Sequence, residues 1–135
     1  MKIRILIFCI LLSVIVGLLW EKHMSVYCVN IELPKEASVC FVRGKTDCLQ
    51  YLEYKEVELL RAILNGKKTY KDNLSCGFSE SVSIKFDNEQ TFCIAQDTCP
   101  IIYWKEKDRY IKLSEDEKTQ LYNLLEPYGV SFPCV

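Results

Sequence analysis

The chain has 135 residues, half of them hydrophobic, with 17 basic and 18 acidic side chains and a formal net charge of −1. Its one histidine, His23, stands at the edge of an apolar N-terminal run, so residues 24–135 hold no Ser-His-Asp triad, Cys-His pair or histidine-based zinc site, and the isolated glycines at 17, 44, 66, 77 and 129 make no glycine-rich phosphate loop. Setting aside Lys2, Arg4, Glu21 and Lys22 takes the net charge to −3, and the run Lys105–Arg109 mixes signs, so the clustered positive charge that nucleic acid demands is missing.

The N-terminus carries the strongest signal. After Met1-Lys2-Ile3-Arg4, residues Ile5 to Trp20 form sixteen consecutive positions without a formal charge. At about 1.5 Å per residue such a helix spans roughly 24 Å, somewhat less than a hydrocarbon core of about 30 Å. Ile3, with Lys2 and Arg4 snorkelling to the headgroups, lengthens the reach, and Trp20 falls where an interfacial aromatic belongs. The competing reading is a cleaved signal peptide, which calls for small residues at its cleavage site. Near the end of the run only Gly17 qualifies, and bulky Ile15 precedes it. We therefore expect an uncleaved anchor over residues 1–23, marked by Ile5, Leu12 and Trp20, with a lipid bilayer as partner of residues 5–20. Lys2 and Arg4 place residues 24–135 outside the cytoplasm. Secretion after cleavage is the alternative.

Beyond the anchor, Met24–Leu33 reads as extended until Pro34, Ala37–Arg43 as a short strand, Arg43-Gly44-Lys45 as a turn and Cys48–Tyr54 as extended. Lys55–Leu64 carries Val57, Leu60 and Leu64 on one stripe, the pattern of an amphipathic helix stopped by Asn65-Gly66. Lys67–Ser79 is polar and aperiodic and reads as a loop. Val82, Ile84 and Phe86 alternate with Ser81, Ser83 and Lys85, which predicts a half-buried strand. A turn at Asp87–Gln90 leads into a returning strand over Thr91–Asp97. Ile101–Trp104 and Arg109–Leu113 form a second hairpin. Ser114 and Glu117 spell a capping box, opening a helix that ends before Pro127, and Val130–Val135 could add an edge strand. The expected fold is α+β: an N-terminal membrane helix, then a small antiparallel sheet with a meander of about four strands and two helices packed on one face.

Seven cysteines follow the anchor, Cys28, Cys40, Cys48, Cys76, Cys93, Cys99 and Cys134, and in an exported domain they read first as a disulfide framework. Favoured pairs are Cys99 with Cys134, holding down the tail, and Cys28 with Cys40 across neighbouring extended segments. Several could equally be small buried apolar residues. No Cys-x-x-Cys occurs, which argues against a zinc knuckle or a thioredoxin-like site. The string Cys93–Pro100 is the most distinctive, because Asp97 could act on a neighbouring thiol, but a turn packed by cysteines explains it more simply. Tyr103, Trp104 and Tyr110 are the candidate interaction surface, with core packing across the hairpin as the plainer account. The sequence thus implies no cofactor and no metal. It points to a non-enzymatic role in protein interaction, sensing or immunity-like protection. The alternative is thiol-dependent redox or metal handling through Cys93, Cys99 and Cys134.

Overall fold

A computed structural model describes residues 2–32, 34–72, 78, 82–95 and 99–130, with the side chains of residues 2–6 and 21–27 left undescribed. The architecture is α+β, an antiparallel sheet with three helices. In chain order the elements are α1 (Lys2–Tyr27), β1 (Ala37–Arg43), β2 (Thr46–Tyr51), α2 (Tyr54–Leu64), β3 (Thr69–Tyr70), β4 (Val82–Phe86), β5 (Thr91–Ile94), β6 (Ile101–Trp104), β7 (Arg109–Lys112) and α3 (Glu115–Leu125). The strands lie in the order β2-β1-β4-β5-β6-β7-β3, and every described pairing is antiparallel.

The meander read from the sequence is β4-β5-β6-β7, each strand beside the next. The β1-β2 hairpin extends it at one edge, turning through Gly44, whose φ of 66° is the left-handed conformation that glycine adopts without a Cβ clash. At the other edge sits β3, inside the stretch expected to be a loop. Two residues are too few to show an alternation, and only their pairing with Ile111 and Tyr110 makes them a strand. Because β2 and β3 occupy opposite edges, α2 must cross the sheet to connect them.

One face of the sheet is the core. Val39, Ile84, Phe92 and Trp104 form one row of directly paired residues across β1, β4, β5 and β6, and Ile94, Ile102 and Ile111 form a second across β5, β6 and β7. Each is fully buried, in one cluster with Val57, Leu60, Ile63 and Leu64 of α2 and Leu121, Leu124 and Leu125 of α3. Both amphipathic stripes are thus consumed on a single side, as two helices with one apolar face each require. Both helices open on a capping box. Ser114 Oγ accepts from Glu117 N–H while Glu117 returns a bond to Ser114 N–H, and Glu53 and Glu56 do the same for α2. The short 3-10 turn Glu126–Tyr128 after α3 brings the Tyr128 hydroxyl onto Glu56, joining the two helices.

Where an extended exit from the first helix was expected from Met24, α1 continues to Tyr27. Nothing between Met24 and Tyr27 breaks a helix, and the stop comes from tertiary structure, a β-bridge between Cys28 and Lys68. From there the chain docks at once. Val29 and Ile31 are buried, Val29 exchanges backbone bonds with Gly66 and Lys67, and Ile31 bonds Asn65 Oδ1 and Arg61 Nε. Among the described residues no helix is long and apolar enough to cross a membrane. The tail beyond Val130, which could have added a strand, lies outside the described residues.

Candidate functional site

Strand alternation leaves the second face of the sheet to the residues between the core positions. Their registers align into one straight row across all seven strands: Leu49, Cys40, Ser83, Cys93, Tyr103, Tyr110 and Tyr70. The row has two halves with different chemistry. Over β6, β7 and β3 it is aromatic, with Tyr103 and Tyr110 ring centroids 5.2 Å apart and Tyr110 and Tyr70 6.1 Å apart. Phe78, from the connection between β3 and β4, packs on this half at 5.4 Å from Tyr110 and 6.1 Å from Tyr103. The Tyr103 hydroxyl donates to Asp108 Oδ1 at 3.1 Å. Partial burial, then that bond to a carboxylate, raise its pKa above the ordinary tyrosine value, so the phenol remains a neutral donor.

The other half, over β2, β1, β4 and β5, is an open hollow of about 610 Å³. Cys40, Val42, Leu49, Ser83, Thr91 and Cys93 line it, with Asp47, Lys85 and Lys105 among the charged groups at its wall. That volume lies within the roughly 300–1,000 Å³ of small-molecule sites, and its mixed lining suits a ligand or peptide side chains of both polar and apolar character.

The candidate residues read from the sequence are thereby separated. Trp104 is 2 % exposed, stacked on Phe92 at 5.6 Å on the core face, while Tyr103 and Tyr110 lie half-buried on the open face. The three therefore do not make one exposed patch, because alternation within Ile101–Trp104 sends Trp104 inward and Tyr103 outward. Cys28 and Cys40 do not pair. Both are free thiols, Cys28 bridging to Lys68 beside β3 and Cys40 in β1, near the opposite edge of the sheet. Cys40 and Cys93 share the hollow but flank Ser83 on either side, two strand spacings or roughly 10 Å from each other, and a disulfide needs Cα atoms within about 7 Å. Cys93 is buried and Cys99 half-buried, while Cys134 and Asp97, the other members of the proposed thiol site, lie outside the described residues. Among the described residues no group of three or more His, Cys, Asp or Glu side chains is placed to hold a metal ion. On α1, Leu12 and Trp20 are exposed, and the side chain of Ile5 is not described.

Ser83, Leu49, Tyr70 and Phe78 join the open face without having been singled out in the sequence. Ser83 was legible as the polar phase of β4, but its neighbours on β1 and β5 depend on a register that one sequence does not display. No family model, curated protein or solved structure matches the chain.

Proposed function

We propose that this chain is a single-pass membrane protein whose α+β domain lies outside the cytoplasm and acts by binding, as an interaction, sensing or protective module, rather than by catalysis. The observation that carries the anchor is α1 itself. Its eleven large apolar side chains from Ile7 to Trp20 are all 52–66 % exposed, and they occupy every side of the helix rather than one stripe. A helix apolar all round needs a nonpolar surrounding, which water does not provide. The fourteen residues from Ile7 to Trp20 cover about 21 Å. Upstream, Ile3, Ile5 and Leu6 extend the apolar run, interrupted by Arg4 alone, and Lys2, Arg4 and Lys22 have stems long enough to reach the headgroups from inside it. Docking of Val29 and Ile31 immediately after the helix gives the domain no free tether, so it would sit against the membrane surface.

Binding rather than chemistry is supported by the chain's side-chain inventory. His23 belongs to α1, so a proton-transfer role in the domain would fall to carboxylates, lysines, tyrosines or thiols. The open face offers instead a shaped hollow beside a tyrosine row, a combination of apolar area and hydroxyl donors typical of recognition surfaces.

The test is fractionation of cells expressing the full chain, with an alkaline carbonate wash and protease added from outside, together with the mass of the mature N-terminus. We expect retention in the membrane, digestion of the domain from the outer side, and an intact N-terminus. Release by carbonate, or a mature chain starting just after Gly17, overturns the anchor.

A further inference from the structure

The two edges of the sheet are treated differently. The β3 edge is two residues long and continues into the Cys28–Lys68 bridge. The β2 edge runs for six residues, with Leu49 and Tyr51 exposed by 52 % and 67 %, and has none of the prolines, bulges or lysines that ordinarily blunt such an edge. Its backbone polarity is defined. Leu52 N–H donates to Ala37 C=O at 3.0 Å, so by alternation Gln50, Cys48 and Thr46 bond toward β1, whereas Asp47, Leu49 and Tyr51 direct N–H and C=O away from the sheet.

We propose that β2 pairs antiparallel with β2 of a second copy of this chain, with the two-fold axis between Leu49 and its own counterpart. The argument is self-complementarity. An axis normal to the sheet keeps both open faces on one side only when each residue meets one of the same alternation phase. Centring on Leu49 satisfies this and uses all the outward groups, about six backbone hydrogen bonds. The same register sets Leu49 on Leu49 once at the axis, and twice over places the Asp47 carboxylate opposite the Tyr51 hydroxyl and Lys45 of one hairpin beside Glu53 of the other. Centring on Asp47 would oppose two carboxylates, and centring on Cys48 would set Asp47 against Leu49. The product is a sheet continuous across both copies, with the two hollows side by side because Asp47 and Leu49 line each of them.

The test is sedimentation of the full chain in density-matched detergent over a range of concentrations. Wild type should dimerise. Leu49→Lys, at an exposed position where folding is not at stake, should raise the dissociation constant at least about tenfold by setting two cations on the axis. Lys45→Glu and Glu53→Lys should each weaken self-association, and mixing the two variants should restore it, because the mixed dimer regains both opposite-charge contacts. A monomeric wild type, a dimer indifferent to Leu49→Lys, or a mixture no tighter than either variant alone overturns the proposal.

Discussion

Trp104 offers the sharpest test of how the second hairpin is laid down. It is 2 % exposed, stacked on Phe92 at 5.6 Å with the planes 26° apart, and sits beneath Lys107, whose Nζ is 5.9 Å from the ring centroid. A buried Trp removes about 150–250 Å² from water, which at about 25 cal/mol/Å² is roughly 4–6 kcal/mol. Trp104→Ala keeps little of that and opens a cavity under β6, so a loss of about 3–5 kcal/mol is expected, a large share of a domain stability of about 5–15 kcal/mol. Trp104→Phe should behave differently. It sacrifices part of the ring area but keeps an aromatic partner for Phe92. It also removes the indole Nε1–H, which has no acceptor among the described residues and whose burial costs about 1–3 kcal/mol. The two effects oppose each other, and Trp104→Phe should cost less than about 2 kcal/mol. Tyr103→Ala, next in sequence but on the open face, should cost at most about 1.5 kcal/mol. The assay is urea unfolding followed by far-ultraviolet circular dichroism, with acrylamide quenching of Trp104 in a Trp20→Phe background. If Tyr103→Ala destabilises more than Trp104→Ala, or if acrylamide quenches Trp104 freely in the folded protein, the two faces of β6 have been assigned the wrong way round.

Three further outcomes are expected. Glu117 is held below the ordinary carboxylate pKa: burial alone would raise it, but bonds donated to the carboxylate by Lys67 and by the Ser114 backbone N–H outweigh that. Its ion-pair contribution is therefore present above the unfolded pKa and lost as pH falls through the lowered folded value. Glu117→Gln keeps the cap and forfeits the charge, so it should cost about 0.5–1 kcal/mol at neutral pH, and the gap from wild type should close in acid when both are unfolded across that range. Cys28 and Cys40 should both alkylate as thiols in unfolded protein that has never met a reductant, and a disulfide-linked peptide joining them would contradict the registers of β1 and β3. Arg109→Lys should free the β3 edge. It removes the fork that bonds Thr69 Oγ1 at 2.6 Å and Thr69 C=O at 2.9 Å, at a cost of about 2–3 kcal/mol, and should speed amide exchange at Tyr70 more than at Ile84.

How much of this was legible in the sequence depended on whether a feature was local. The alternation of Val82, Ile84 and Phe86, the Ser114–Glu117 capping box and the stripe of Val57, Leu60 and Leu64 each sit inside one element, and each recurs in the structure with nearly the same bounds. Trp104 failed for the opposite reason. Ile101-Ile102-Tyr103-Trp104 is apolar at every position, so its phase is set by neighbours on β5 and β7 rather than by its own pattern. β3 exists only through β7, and α1 ends where Lys68 captures Cys28. The open-face row is the extreme case. It needs six registers at once, and none of its members is unusual in its own strand.

That row also shows why the anchor and the edge belong in one account. A dimer held by one pair of edge strands is modest in area, and free in solution it would meet a substantial entropic cost of association. Confinement of α1 to a bilayer would remove part of that cost in advance, by restricting each copy to two dimensions and, through the docked Val29 and Ile31, limiting how its domain can tilt. The prediction follows that the same pairing should be weaker for a chain lacking residues 1–27 than for the full chain, while both remain sensitive to Leu49→Lys. Leaving Val29, Ile31 and the Cys28–Lys68 bridge in place keeps the contacts that hold the domain's own edge. Equal affinities with and without α1 would show that the edge needs no help from the membrane. Loss of the Leu49→Lys effect in the shortened chain would show that dimerisation came from the helix alone.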